Sequence, residues 1–276
     1  MAGDVTYVIG EAGACGDADL TKMLAQIDVC AEAGVDAVKF QWTSDATAMA
    51  KRRGRALLDG YDLVYQRYLM WSDDWHQHLH QRCDDLGVDY LCTVYLTQDV
   101  RVVAPYVSHF KVSSFEAKDT DLHHAVLDQC RDEKRMLLSL GMCSDLEIDM
   151  LRFSLADVPC IDYLHCVSAY PTPFTAMNLS RIHRNRLDGY SDHTSPALSM
   201  TGALAVAAGA RIIEAHMRLD TTDSLNPDAA HAMTPTQLND YVQRIRMTEG
   251  AMYGRDDSAQ DSMRPYRVGG TDDHAA

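Results

Sequence analysis

The chain has 276 residues, 46% of them hydrophobic, and a formal net charge of −15. That length suits one α/β barrel of roughly 250 residues and exceeds most single β-sandwiches. So acidic a chain is excluded as a binder of nucleic-acid backbone. No apolar run approaches the roughly 18 residues of a membrane-spanning helix, and eight cysteines without a CxxC pair exclude zinc fingers and a disulfide framework.

The chain opens almost directly on a strand-like run, Val5–Gly10, with no basic leader ahead of an apolar stretch. No secretory signal is expected, and buried thiols suit a cytoplasmic protein. Leu20, Met23, Leu24, Ile27 and Ala31 follow at helical spacing, and Gly34 stands where a C-terminal cap belongs. Val35–Gln41 reads as the second strand. The connection after it, Thr43 to Ser72, is long and rich in Tyr and Trp. Such a connection is a substrate lid, or else a packed insertion or oligomer contact. It holds the basic run Lys51-Arg52-Arg53-Gly54-Arg55, read as a solvated loop with a rim patch for an anion as the alternative. His76, His78 and His80 read as solvated rather than ligating.

Gly87 is a second cap glycine. Beyond it come strand-like runs at Val88–Val94, Val107–Val112, Arg135–Leu140, Ile161–Val167, Leu187–Ser191 and Arg211–His216. Helical segments separate them, among them one with an apolar face of Leu146, Met150, Leu151 and Leu155. After Gly254 the chain becomes rich in Asp, Gly and Arg. Residues 1–254 are therefore expected to form one domain and residues 255–276 a disordered tail. Strands alternating with helices throughout predict a closed parallel (β/α)₈ barrel. An open doubly wound sheet is the alternative, but the first strand is not followed by GxGxxG.

Catalytic groups of such barrels sit at the carboxyl ends of the strands. Lys39 and Lys111 lie inside otherwise apolar strands, a costly placement unless each meets an anion. At one barrel end, with hydroxyls alongside, they point to a pocket for a doubly anionic ligand. His193 and His216 end neighbouring strands about 4.8 Å apart, within reach of one metal ion, and Glu214 is nearby. Nitrogen and oxygen donors suit Mn²⁺, Fe²⁺, Zn²⁺ or Co²⁺; two hydrogen-bonded core histidines are the alternative. His165 reads equally as a core histidine or a pocket donor.

The segments Ile9–Gly13, Ala33–Gln41, Phe110–Glu116, Ser139–Met142, Leu164–Pro173, Gly189–Thr194 and Gly209–His216 resemble, in order and spacing, those of the sialic acid synthase family. The resemblance implies a barrel enzyme that condenses phosphoenolpyruvate with an aldehyde to give a 2-keto acid and phosphate. It implies phosphoenolpyruvate contacts from Lys39, Thr93, Lys111, Ser114, Ser139, Tyr170 and Ser191, with Ser168 in place of the family's asparagine. His193 and His216 would hold a divalent metal, usually Mn²⁺, with Mg²⁺, Co²⁺, Fe²⁺ and Zn²⁺ as alternatives. Glu11 and Glu116 would be catalytic carboxylates, and Glu214 and Asp228 would work near the metal and the aldehyde.

Several positions depart from the family. Cys15-Gly16-Asp17-Ala18 replaces Asn-His-x-Gly, and Leu140 replaces a threonine. Asp228-Ala229-Ala230-His231 replaces Asp-His, so that histidine reads as displaced or lost. Cys15 itself reads as a small filler. A barrel without the family's C-terminal antifreeze-like domain is expected, with a homodimer left open. The departures cluster where the second substrate would lie, so the expected acceptor is a different sugar-like or nucleoside-like aldehyde. A Schiff-base aldolase and a non-catalytic binding relative are the competing readings.

Overall fold

The computed structural model describes residues 5–54, 61–130, 133–156, 158–254 and 258. The expected tail, residues 255–276, lies outside the described residues except for Ser258, and so does Arg55 of the basic run. The eight expected strands form: β1 (Tyr7–Gly13), β2 (Ala37–Gln41), β3 (Asp89–Thr93), β4 (His109–Val112), β5 (Met136–Ser139), β6 (Ile161–Cys166), β7 (Gly189–Asp192) and β8 (Ile212–His216). They pair in chain order, all parallel, and β8 closes on β1. The architecture is the (β/α)₈ barrel rather than the open sheet.

Successive side chains of a strand point to opposite faces. Along β1 the residues Tyr7, Ile9 and Glu11 turn inward, and the register carries that parity round the barrel: Ile9 opposite Ala37, Glu11 opposite Lys39, Thr93 opposite Lys111, Ser191 opposite Glu214. Ile9, Ala37, Leu91, Leu137, Leu164 and Ile212 pack together as an apolar plug. The next inward residue on each strand is Glu11, Lys39, Thr93, Lys111, Ser139, Cys166, Ser191 or Glu214, and all of these are buried. A mostly polar layer therefore rests on an apolar one, at the end where barrel active sites lie. Outward residues such as Val38, Phe110, Leu138 and Ile213 are covered by the helices and belong to the large outer core.

His165 has the outward parity. Its Nε2 bonds the carbonyl of Met177 at 2.8 Å, so it is a core histidine and not a pocket donor. Asp192 also faces outward. It accepts hydrogen bonds from Tyr241 Oη at 2.8 Å and from the Thr201 hydroxyl, tying β7 to α9 (Thr201–Ala207) and α10 (Pro235–Tyr253).

Helix α1 (Leu20–Ala33) is capped by the Asp19 carboxylate and ends on Gly34 in the left-handed conformation, φ 80°. Gly87 ends α4 (Trp75–Leu86) in the same way, φ 69°. The expected apolar face of α7 (Asp145–Ser154) is only partly right. Ile148, Leu151 and Leu155 turn toward the barrel, whereas Leu146, Met150 and Phe153 are exposed. The helix carries two apolar stripes, and only one can face the core.

The long connection after β2 folds into α2 (Ala46–Arg52) and α3 (Tyr61–Leu69). Met49, Tyr68 and Leu69 pack with Ala14, Tyr95 and Leu96 into a satellite core over the barrel mouth. The expectation that His76 is solvated fails. It is fully buried, beside Trp42, Trp71 and Tyr106, with Nδ1 2.6 Å from Tyr90 Oη. Its helical spacing with His78 and His80 was local information; the aromatic cage comes from Trp42 and Trp71, from Tyr90 on β3 and from Tyr106. No helix among the described residues is long and apolar enough to cross a membrane.

Burial lowers the His76 imidazole from its ordinary range to about 3. Below about pH 6.5 the unfolded chain takes up a proton at this position that the fold does not hold. Stability should therefore fall as pH drops from 6.5 toward 3, by up to about 1.4 kcal/mol per pH unit from this residue. Urea unfolding of wild type and His76→Gln between pH 7 and pH 5 checks it: the stability difference between the two should shift in favour of the variant as pH falls.

Candidate active site

The polar layer floors a cavity of about 330 Å³ at the barrel mouth, lined by Lys39, Thr93, Lys111, Ser114, Ser139, Tyr170, Ser191, His193, Glu214, His216 and Asp228 among others. Three of the expected site residues are not in its wall. Glu11 lies behind Lys39, Glu116 lies behind Arg53, and Ser168 bonds the Ser114 hydroxyl at 2.9 Å.

The two lysines have different surroundings. Lys39 forms a close ion pair with Glu11 and donates to Thr93 Oγ1 at 2.8 Å. Lys111 has no such partner among the described residues. Its closest carboxylate oxygen, on Glu214, is 3.8 Å away, and its contact with the Val112 carbonyl is long at 3.5 Å. Burial, reinforced by Lys39 and opposed by Glu214, lowers the Lys111 ammonium from its ordinary value. An anion placed against Lys111 would reverse that shift.

The two buried carboxyls also differ. Burial raises Glu11 to about 7; Lys39 opposes the shift and Glu214 adds to it. Burial acts on Glu214 in the same sense, but Lys111, Lys39 and the Ser191 hydroxyl (2.6 Å) together hold it down at about 2. Glu214 thus sits as a carboxylate between two cations, and Glu11 is shifted the opposite way by its deeper burial behind Lys39.

Opposite the lysines, three imidazoles converge. The rings of His193 and His216 are 5.5 Å apart, and His231, which the sequence reading had as displaced or lost, lies 4.5 Å from His216. His193 Nδ1 donates to the Val167 carbonyl at 3.0 Å, which leaves Nε2 for another partner. Burial lowers His193 and His231 to about 4, and burial with the neighbouring imidazoles lowers His216 well below its ordinary value. Imidazoles kept neutral in this way are in the state that binds metal. Buried nitrogens of His216 and His231 have no hydrogen-bond partner, and His216, Asp228 and His231 can each offer a donor atom within 4.8 Å of the others. The donor set fits a divalent ion.

The outer wall was poorly foreseen. Arg53, from the basic run, turns into the mouth. It grips both oxygens of Glu116, at 2.7 and 3.0 Å, and donates to Tyr65 Oη at 3.0 Å. The rings of Tyr65, Tyr95 and Phe115 surround its guanidinium at 4.4–5.5 Å. Ser113 also donates to Glu116. With three donors already bound, Glu116 is an anchor for the α2–α3 insertion. Gln41 bridges Glu11 and Tyr95 at 2.8 and 2.6 Å. Cys15 is buried with a thiol raised well above its ordinary value by burial and nearby acids, as suits a filler.

A model of the NeuB family matches residues 26–257. The chain is 28% identical to an N,N'-diacetyllegionaminic acid synthase of Legionella pneumophila, over 95% of this chain and 77% of that protein. It is 26% identical to the human N-acetylneuraminate-9-phosphate synthase, over 89% of this chain and 71% of that one. Among solved structures, an N-acetylneuraminic acid synthetase of Leptospira borgpetersenii superposes with a TM-score of 0.81 at 24% identity, covering 96% of this chain and 92% of that one, and shows the same fold.

The Arg53–Glu116 pair has side chains only 11% and 7% exposed. Removing one partner of a buried pair strands the other charge, at about 3–5 kcal/mol. Arg53→Leu should lose stability on that scale in urea unfolding, and Arg53→Leu combined with Glu116→Leu should recover most of it. Additive losses would show that the pair is not coupled.

Proposed function

The chain belongs to the NeuB family, and from that premise we propose that it condenses phosphoenolpyruvate with a sugar-like or nucleoside-like aldehyde. The products are a 2-keto acid and inorganic phosphate. The observation that carries this reading is one cavity with Lys111 and a ring of hydroxyls on one side and three neutral imidazoles on the other. The catalytic unit we assign is the barrel of residues 1–254, and its unpaired cysteines suit the cytoplasm.

Lys111, with its ammonium unpaired at close range, receives the phosphate or carboxylate of phosphoenolpyruvate. Ser114 and Ser139 stand beside it as hydroxyl donors, Ser191 turns its hydroxyl to Glu214, and Lys39 braces the floor through Thr93 and Glu11. Holding the anion there aims its methylene carbon at the histidine corner, where the aldehyde lies. Such positioning is worth several kcal/mol. His193 and His216 would hold a divalent ion, with Asp228 beside them and Mn²⁺ the family's usual choice, and that ion would supply Lewis-acid polarisation of an aldehyde oxygen. As the new carbon–carbon bond forms, positive charge grows at the enol carbon, and the fixed carboxylate of Glu214 stabilises it. Water adds at that carbon. Glu11, poised near neutrality, takes up a proton relayed through Lys39 or solvent, and the tetrahedral adduct expels phosphate.

Cys15, Leu140 and Ser168 stand outside the cavity wall that Lys111 and Glu214 line, which supports an unchanged reaction, and His231 enters that wall in place of the family's Asp-His histidine, which supports a different acceptor. A second reading, a Schiff-base aldolase, draws on one observation: the lowered ammonium of Lys111. Phosphate release from phosphoenolpyruvate across an aldehyde panel, with and without Mn²⁺, tests the synthase. Release should require both aldehyde and metal, and Lys111→Met should lower kcat/KM by roughly 10²–10³-fold. Borohydride trapping of pyruvate on Lys111, without phosphate release, would overturn the synthase in favour of the aldolase.

A further inference from the structure

His231 belongs to the loop between β8 and α10, not to a strand end. It is 3% exposed, and neither ring nitrogen has a hydrogen-bond partner. A buried polar atom left unpaired is costly, and two on one ring call for a partner that the described side chains do not supply. His216 Nδ1 is also buried and unpaired. It lies 3.7 Å from Asp228 Oδ2, too far for a hydrogen bond. Two donors each about 2.1 Å from one ion are separated by roughly 3–4 Å, so this spacing is that of two ligands awaiting a shared partner.

The loop is built to hold this arrangement. His231 N donates to the Asp228 carbonyl at 3.1 Å, a tight turn that brings the two side chains to the same side. Asn226 anchors the turn to the Ala14 carbonyl at 2.7 Å, and Ala14 N donates to Asp228 Oδ2 at 3.2 Å. The ring of Tyr170 closes over His231 at 5.1 Å.

We infer that His231 is a metal ligand, and that His216, Asp228 and His231 form a two-imidazole, one-carboxylate face for a divalent ion. The inference rests on the reading of the barrel mouth as a metal-dependent site. It gives this chain a ligand from an irregular loop where the sequence resemblance offered only the two strand-end histidines. A nitrogen-rich face of this kind binds Co²⁺ or Zn²⁺ more tightly than Mn²⁺, and Mg²⁺ least.

The test uses the full chain stripped of metal by a chelator and titrated calorimetrically with CoCl₂, ZnCl₂ and MnCl₂. His231→Phe keeps an aromatic ring against Tyr170 and removes both nitrogens. Its Co²⁺ and Zn²⁺ affinity should fall by at least the roughly 10–100-fold that follows loss of a ligand's supporting residue, with a changed cobalt visible spectrum. His231→Cys should bind Co²⁺ with a thiolate-to-cobalt charge-transfer band. Unchanged affinity and spectrum in His231→Phe, together with no such band in His231→Cys, overturn the inference. Should either variant fail to fold, anomalous diffraction from Zn²⁺ bound to the unmodified chain decides the matter. An ion within bonding distance of His231 supports the assignment, and one held by His193 and His216 alone overturns it. No ion bound by the unmodified chain at all overturns the metal reading of the proposed function as well.

Discussion

The structure depends on a layer of charge sealed inside the barrel. Parallel strands with a two-residue period place Glu11, Lys39, Lys111 and Glu214 on one level above an apolar plug. Charges withdrawn from water must compensate one another or meet a ligand. Here the compensation is uneven: Lys39 is closely paired with Glu11, whereas Lys111 and Glu214 stand 3.8 Å apart. The imbalance leaves one cation able to take an incoming anion without first breaking a strong ion pair. Between the two cations Glu214 is held below the usual carboxylate range, whereas burial raises Glu11.

The mouth above this layer has two sides of different character. On the β7–β8 side, neutral imidazoles and Asp228 converge with unpaired nitrogens. On the β2–β4 side, Arg53 is clasped by Glu116 and enclosed by aromatic rings. Its charge is already neutralised, so its contribution is to fasten the α2–α3 insertion across the cavity and shape an aromatic wall. Of the departures from the family's sequence pattern, only His231 reaches the cavity wall; Cys15, Leu140 and Ser168 do not line it, while the lysines, Ser191 and Glu214 do.

Much of this was legible in the sequence because it follows from local period. Short β-branched or apolar runs marked the strands, and Gly34 and Gly87 marked helix ends. Lys39, Lys111, His193 and His216 stood out because a polar residue ending an apolar strand has few inexpensive roles. What escaped lay off the strands or depended on phase. Arg53 sat in a basic run with the composition of a solvated loop. His231 was measured against a family motif and appeared out of place, although the turn from Asp228 carries it back to His216. His76 followed a surface-like spacing and was enclosed by aromatics from distant parts of the chain.

By itself, then, the sequence determined the barrel and the polar strand ends, because these are set by side-chain period and by the cost of burying charge. Only the tertiary structure decided which cations are already paired, that Glu11 and Glu116 lie behind the cavity wall, and that a loop histidine joins the two at the strand ends. Those outcomes are contacts between segments far apart in the chain. Closing a loop across the barrel mouth leaves no local periodicity for a sequence reading to detect.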